Sequence, residues 1–291
     1  MGSDCAVWLD GLPFGRAMEI AKAAEAEVRR IEARYSRFRD DSELSRLNRL
    51  ARVAGSTSID AETEALILFS KTCWEVSGGA FDITAGAYHR AWHRGGAAVP
   101  SAGHLAALGR SVGFTRLALA PGRLTFLADA MELDLGGVGK EYAADRAFEV
   151  CRELGGRHGF VNLAGDIRVI GPQPDGAGWR FGVKRPEAEG GEIDQVELGE
   201  GAIATSGDYE RRLEIGGRSY SHFIDPATGW PSSGLASVTV IASNCMAAGG
   251  LATSAMIMGR AGVDWLIGRG ASFLAVDHAR GSWSTPPFRQ S

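Results

Sequence analysis

Apolar positions in the first part of the chain recur three or four residues apart, the spacing of one face of a helix. The segment from about Phe14 to Ser36 shows this most clearly and predicts one long amphipathic helix. Asp41-Ser42 and Ile59-Asp60 each resemble the start of a helix, with a capping side chain before the first turn. Helices are predicted after Asp41-Ser42, from Asp60 to about Val76, near 101–110, from the turn at 136–139 to about Leu154, at 245–258 and near 261–268.

Short apolar runs between polar or glycine-rich turns predict strands, most of them in the second half of the chain. They are predicted at 5–10, 115–119, 123–127, 131–135, 159–163, 167–171, 179–184, 194–199, 202–205, 211–215, 236–242 and 272–276. Because strands outnumber crossover helices after residue 155, much of the sheet is expected to be antiparallel. No repeat or linker divides the chain. The expected fold is a single compact α+β domain over 1–291, with a mixed, largely antiparallel sheet and flanking helices.

Composition narrows the classes of function. The 291 residues are 45% hydrophobic and 23% charged, with a net charge of −4 and no basic stripe, so nucleic acid is not an expected partner. The four cysteines form no CxxC pair, which argues against zinc or a thioredoxin-like site. No run of 18 apolar residues is present to span a membrane. No basic stretch followed by an apolar run begins the chain, so we expect it in the cytoplasm, unless an export segment lies upstream.

The run from Leu133 to Asp145 passes from a predicted strand through three glycines into a helix. Glycines permit close approach of a ligand to the backbone, and a helix N-terminus offers N–H groups and partial positive charge to an anion. Lys140 adds a full charge, which suits a diphosphate. The run is not a Walker loop, since Glu141 stands where Ser or Thr would follow the lysine. A tight turn with a surface lysine is the alternative interpretation.

Three further runs place polar residues at the ends of strands or in turns: 162–166, 204–209 and 221–229. In the last of them, His222 precedes Asp225 by three residues, which suits proton transfer or a phosphate contact. Turn capping is the preferred interpretation of each of the first two runs taken alone, and a structural histidine hydrogen-bonded in a turn is the alternative for the third. The other histidines are interpreted as surface or core residues: His89, His93, His104, His158 and His278.

Taken in order, these runs resemble the ApbE family, the FAD:protein FMN transferases. The resemblance extends from Met1 to about Gly259. It rests on Tyr35–Phe38 with Asp41–Asn48, Gly79–Thr84, Leu133–Asp145, Asn162–Asp166, Ala204–Asp208 and His222–Gly229. It implies an enzyme that binds FAD, cleaves its diphosphate and joins FMN by a phosphoester bond to a Ser or Thr of a target protein, releasing AMP, normally with Mg²⁺.

The resemblance also implies roles for matching positions. His222 becomes the candidate for proton transfer to or from the target hydroxyl, and Gly137 offers a backbone carbonyl to the metal, together with Ala252 and Thr253 in the helix near residue 250. The positions implied to contact or support FAD are Met1, Phe38, Ala80, Phe81, Asp82, Asp134, Lys140, Ser206, Asp208 and Ile224.

One position departs from the family pattern. The usual run is Ala-Asp-Ala-Leu-Ala-Thr, whereas this chain has Gly249 in place of the Asp, one helical turn before Thr253. The change leaves open weaker metal binding, another ligand such as Asp225, no metal, or loss of activity. Two alternative functions therefore stand beside the transferase: an FAD-binding protein without transferase activity, and an FAD pyrophosphatase giving FMN and AMP. Gly249→Asp is predicted to strengthen dependence on Mg²⁺.

Overall fold

The structure is a computed structural model that describes residues 4–94, 98–186 and 191–288, apart from the side chains of His93, Arg94 and Glu210. Its largest sheet has seven strands. Its strands lie in the order β1 (Cys5–Asp10), β5 (His158–Leu163), β6 (Asp166–Gly171), β9 (Ala202–Gly207), β12 (Leu235–Ala242), β13 (Ser272–Asp277) and β14 (Ser282–Ser284). Every neighbouring pair in it is antiparallel.

Eight helices and three smaller antiparallel sheets complete the described part of the chain. The helices are α1 (Phe14–Tyr35), α2 (Glu43–Ala51), α3 (Ala61–Val76), α4 (Gly86–Arg94), α5 (Ala102–Gly109), α6 (Gly139–Glu153), α7 (Cys245–Met258) and α8 (Arg260–Gly268). One small sheet has three strands, in the order β2 (Gly55–Ser58), β4 (Arg123–Phe126) and β3 (Leu117–Ala120). The other two are hairpins, one of β7 (Trp179–Lys184) with β8 (Glu192–Leu198) and one of β10 (Leu213–Ile215) with β11 (Arg218–Tyr220). The α+β class and the largely antiparallel sheet are confirmed.

The central sheet is covered on both faces because its strands alternate in the direction of their side chains. On β9, Ala204 packs into the apolar cluster beneath α7, whereas the next residue back, Ile203, packs with Phe181 and Val196 of the β7–β8 hairpin. Helices α6 and α7 contact the same sheet and each other, and α1 packs on α6. The N-terminal end of α6 is thereby held between the sheet and α7. None of the described helices is long and apolar enough to cross a membrane.

Two predicted helix starts are confirmed at the level of atoms. The Oγ atom of Ser42 accepts a hydrogen bond from the backbone N–H of Ser45 at 3.0 Å. The Oδ1 atom of Asp60 accepts one from the N–H of Thr63 at 3.0 Å. Each side chain satisfies an N–H that the first turn of a helix leaves without a partner.

The predicted strand at 131–135 is wrong. In this stretch only Glu132 forms a bridge, an isolated parallel one to Ala85. The side chain of Asn48 takes the place of a neighbouring strand at Leu133: its Nδ2 donates to the Leu133 carbonyl at 2.9 Å, and its Oδ1 accepts from the Leu133 N–H at 2.7 Å. The backbone groups are satisfied without a ladder.

Other differences concern short elements. The prediction at 115–119 begins instead as a 3-10 turn, Phe114–Arg116, before β3. Strands β2, β11 and β14 and helix α4 were not predicted from the sequence. The three strands have only three or four residues each, and β2 reads Gly-Ser-Thr-Ser, so they lack the apolar alternation that marks a strand.

Candidate functional site

The glycine turn before α6 brings together side chains from separate parts of the chain. A Cβ atom on Gly137 would lie 3.2 Å from Cε2 of Phe81 and 3.4 Å from Cγ2 of Thr253. The lack of a side chain at Gly137 thus lets the 77–84 loop and α7 close on the turn. Three of the residues implied by the family resemblance therefore meet here.

Asp134 forms one side of this site as a fully engaged carboxylate. Its Oδ1 accepts the N–H of Gly136 at 2.8 Å, and its Oδ2 lies 2.7 Å from Nδ1 of His89 and forms an ion pair with Arg37. Burial alone would raise the pKa of Asp134, but the hydrogen bond with His89 and the charges of His89 and Arg37 outweigh it, and the pKa is lowered. Asp134 is therefore ionised. His89, interpreted from the sequence as a surface or core residue, belongs to this site.

Lys140, Glu141 and Asp166 form the other side. Nζ of Lys140 lies 3.0 Å from Oδ2 of Asp166, whose side chain is almost completely buried. Glu141 is 5% exposed, and its Oε2 atom has no hydrogen-bond partner among the described residues. Burial and the nearby charge of Asp166 raise the pKa of Glu141, and burial also raises that of Asp166 against the effect of Lys140. Two buried carboxyl groups thus share a single ammonium group. Sequence analysis did not single out Glu141, because Asp166 and Gly249 approach it from distant parts of the chain.

Gly249 and Gly250 on α7 each admit a neighbouring side chain. A Cβ on Gly249 would lie 2.5 Å from Cγ of Glu141, and its three nearest atoms all belong to the Glu141 side chain. A Cβ on Gly250 would lie 2.9 Å from Sγ of Cys73. An Asp at position 249 would therefore have to displace the Glu141 side chain, which already fills that space.

Asp225, the substitute ligand considered from the sequence, is engaged elsewhere. Its two carboxylate oxygens accept hydrogen bonds within its own turn, from the N–H of Ala227 and from Oγ1 of Thr228, both at 2.9 Å. These bonds close the turn at 225–229 and account for both oxygens.

Two hydroxyl groups, from β9 and α7, meet near the turn at Gly137. Oγ of Ser206 and Oγ1 of Thr253 are 3.0 Å apart, which joins the end of β9 to α7. Ala252 is buried in the apolar cluster beneath α7, so only its backbone carbonyl could serve as a ligand. Within the described ranges, no group of three or more His, Cys, Asp or Glu side chains is arranged to hold a metal. A carboxylate, a hydroxyl and carbonyls are nevertheless the hard oxygen donors that suit Mg²⁺.

Two of the aspartates implied to contact or support FAD have structural partners. Asp82 accepts bonds from the N–H and hydroxyl of Thr84 and from the N–H of Phe114, and burial raises its pKa despite these bonds. Asp208 is buried, 3.2 Å from Arg212 and 3.1 Å from Nε2 of His278. Both carboxylates hold loops in place around the site.

The remaining positions differ in exposure. Phe38 is 83% exposed, with the Arg37 guanidinium 5.0 Å from its ring centroid, so its ring is available to stack on a planar ligand. Ala80 is half-buried, whereas Ile224 is buried. Met1 lies outside the described residues.

His222 lies on a loop that is tied to α4. Nε1 of Trp92 donates to the Gly229 carbonyl at 2.8 Å, and a Cβ on Gly229 would meet the Tyr88 ring. The His222 ring is half-buried and stacks obliquely on Phe223, with 4.1 Å between the ring centroids. Since α4 also carries His89, the loop is connected through one helix to the carboxylate of Asp134.

The fold and this cluster define an α+β protein with a glycine turn at the start of α6. The chain belongs to the ApbE family, whose sequence model matches residues 1–274. An FAD:protein FMN transferase from Vibrio cholerae is 32% identical over 252 residues, which cover 82% of this chain and 74% of that protein. The crystal structure of an ApbE protein from Thermotoga maritima has a TM-score of 0.87 at 30% identity, with 97% of each chain covered. The flavin transferase ApbE from Vibrio cholerae has a TM-score of 0.85 at 26% identity, with 99% of this chain and 96% of that one covered.

Proposed function

We propose that this chain is an FAD:protein FMN transferase, which moves FMN from FAD to a Ser or Thr of a target protein and releases AMP. The observation that carries the proposal is the similarity to a transferase of that name over 82% of the chain. Neither alternative, an FAD-binding protein without activity or a pyrophosphatase, is favoured. The case for inactivity rested on Gly249, where a buried carboxyl group from Glu141 is present.

The reaction is a phosphoryl-type transfer between oxygens. The acceptor hydroxyl oxygen forms a bond to the phosphorus of the FMN half, the bond from that phosphorus to the bridging oxygen breaks, and AMP leaves with that oxygen. The hydroxyl proton must be removed as the new bond forms, and His222 is the candidate that takes it. Its loop, tied by Trp92 to α4, supplies a fixed position for that step.

Binding of the diphosphate falls to the start of α6. The first N–H groups of the helix and the ammonium group of Lys140 would attract the negative charge of the diphosphate. Mg²⁺, when bound, neutralises charge on the diphosphate. The residues that would hold it are Gly137 and Ala252 through backbone carbonyls and Thr253 through its hydroxyl. Phe38 would stack on the flavin or adenine ring.

Mass spectrometry tests the proposal directly. The protein is mixed with FAD, Mg²⁺ and an acceptor protein that carries a family-type Ser/Thr motif, and the acceptor is expected to gain one FMN while AMP is released. FMN and AMP without the adduct would instead establish a pyrophosphatase, and bound FAD with neither product would establish a binding protein.

The role of His222 is tested by His222→Ala, with the exposed His104→Ala as the matched control. We expect the first variant to lower the transfer rate by about 10²–10⁴-fold, the range for loss of a positioned proton-transfer group. His104→Ala should transfer at the wild-type rate. Equal rates in the two variants would exclude His222 from the proton transfer.

A further inference from the structure

Gly249, which departs from the family pattern, faces Glu141 on the neighbouring helix α6. Glu141 follows Lys140 at the start of α6, and its side chain reaches α7 at the surface of Gly249. A side chain at position 249 and the side chain of Glu141, as it now lies, would compete for the same space. The two positions therefore behave as a pair.

The charge of this cluster is unbalanced. Glu141 and Asp166 are two buried carboxyl groups, and the Lys140 ammonium group lies 3.0 Å from an Asp166 oxygen. The Oε2 atom of Glu141 is buried and has no hydrogen-bond partner in the described part of the chain. A buried carboxyl oxygen without a partner is costly, and a bound cation is one way to satisfy it.

The surroundings of that oxygen favour a divalent cation. Gly249 and Thr253 are one turn apart on the same face of α7, so the Glu141 carboxyl group lies on the face that presents the Thr253 hydroxyl. Gly137 packs against Thr253, which brings its backbone into the same space. Carboxylate, hydroxyl and carbonyl oxygens are all ligands that Mg²⁺ and Mn²⁺ accept.

We propose that Glu141 supplies, from α6, the carboxylate ligand of the divalent cation that Gly249 on α7 cannot supply. The inference rests on the proposed function only in taking the cation to act on FAD. It assigns a ligand role to a residue of the glycine-rich run and explains why α7 retains a glycine at its centre.

The test measures Mn²⁺ binding by the paramagnetic signal of the free ion, with FAD present, separately from FMN transfer. In Glu141→Gln, which keeps the size of the side chain but removes the carboxylate, Mn²⁺ affinity should fall by at least about tenfold, since loss of even an outer partner of a metal costs that much. Glu149→Gln is the matched control, because Glu149 is an exposed residue of the same helix, and it should bind Mn²⁺ as the wild type does.

Exchange of the two residues tests the pairing. The double variant Glu141→Gly/Gly249→Asp carries the carboxylate on α7 and removes the three atoms that crowd position 249. We expect it to regain Mn²⁺ affinity relative to Glu141→Gly, whereas Gly249→Asp alone should not bind more tightly than the wild type. Circular dichroism and thermal unfolding establish that each variant is folded.

Two results overturn the proposal: wild-type affinity in Glu141→Gln, or absence of Mn²⁺ binding by the wild type with FAD present. The proposed function fails separately. If the wild type binds Mn²⁺ through Glu141 but adds no FMN to the acceptor, the ligand assignment stands and the transferase activity is excluded.

Discussion

Asp134 and Glu141 stand on either side of the same glycine turn, and both are buried carboxyl groups, yet their surroundings are opposite. Asp134 meets a backbone N–H, a histidine and an arginine, and its pKa is lowered. Glu141 meets a second carboxyl group and has one oxygen without a partner, and its pKa is raised. The first group is satisfied within the protein, whereas the second has an oxygen that the proposed cation would satisfy.

The difference separates structural from ligand-binding roles among buried charges. Removing a satisfied carboxylate strands its donors, so it should reduce stability even when no ligand is present. Removing an unsatisfied carboxylate also removes the free-energy cost of burying it, so ligand binding should fall and stability should not.

Asp134→Asn should lower the free energy of unfolding by about 2–4 kcal/mol, because Arg37 and His89 would face an amide in place of a charge. Urea unfolding monitored by circular dichroism measures the loss. Asp129→Asn is the control, since Asp129 is exposed and close in sequence, and it should change stability by less than about 0.5 kcal/mol. Equal changes in the free energy of unfolding in the two variants would show that the partners of Asp134 do not stabilise the fold.

The same variant predicts a pH dependence. A carboxyl whose pKa in the folded state lies below its ordinary 3.8 contributes stability that is present above pH 3.8 and is lost as the pH falls through the folded-state pKa. The stability difference between wild type and Asp134→Asn should therefore be constant above about pH 5 and shrink in more acidic solution. A difference that grew on acidification would contradict the assignment.

What the sequence could predict follows the same division between local and long-range causes. The caps at Ser42 and Asp60 were predictable because each bonds within its own first turn. The strand predicted at 131–135 was wrong because Asn48, far away in the chain, satisfies Leu133.

The site shows a similar limit. The glycine turn that leads into α6 was predictable from its glycines. The role of His89 and the contact of Glu141 with Gly249 were not, because both exist only where separate elements pack together. The departure of Gly249 from the family pattern was visible in the sequence, but the side chain that occupies its space was not.

Gly249→Ala should cost about 1–3 kcal/mol of stability, since its methyl group would lie 2.5 Å from Cγ of Glu141. Gly139→Ala is the matched control: nothing lies within 4 Å of a Cβ at that position, so it should be within about 1 kcal/mol of wild type.

A double-mutant cycle sharpens this prediction. In the background Glu141→Gly, the atoms that crowd position 249 are gone, and Gly249→Ala should no longer be destabilising. Urea unfolding of the four proteins measures the coupling. The same cost in both backgrounds would show that the glycine is required by something other than Glu141.

Glu141→Gln should have the smallest effect on stability, within about 1 kcal/mol of wild type without metal, because it keeps the size of the side chain and removes a charge that burial and Asp166 disfavour. Thermal unfolding with added Mg²⁺ and FAD then separates the two proteins. A ligand that binds the folded state stabilises it in proportion to the logarithm of its concentration over its dissociation constant, so the wild type should gain from Mg²⁺ and the variant should gain less. If Glu141→Gln lost much stability without metal and gained as much from Mg²⁺ as the wild type, Glu141 would be a structural carboxylate like Asp134.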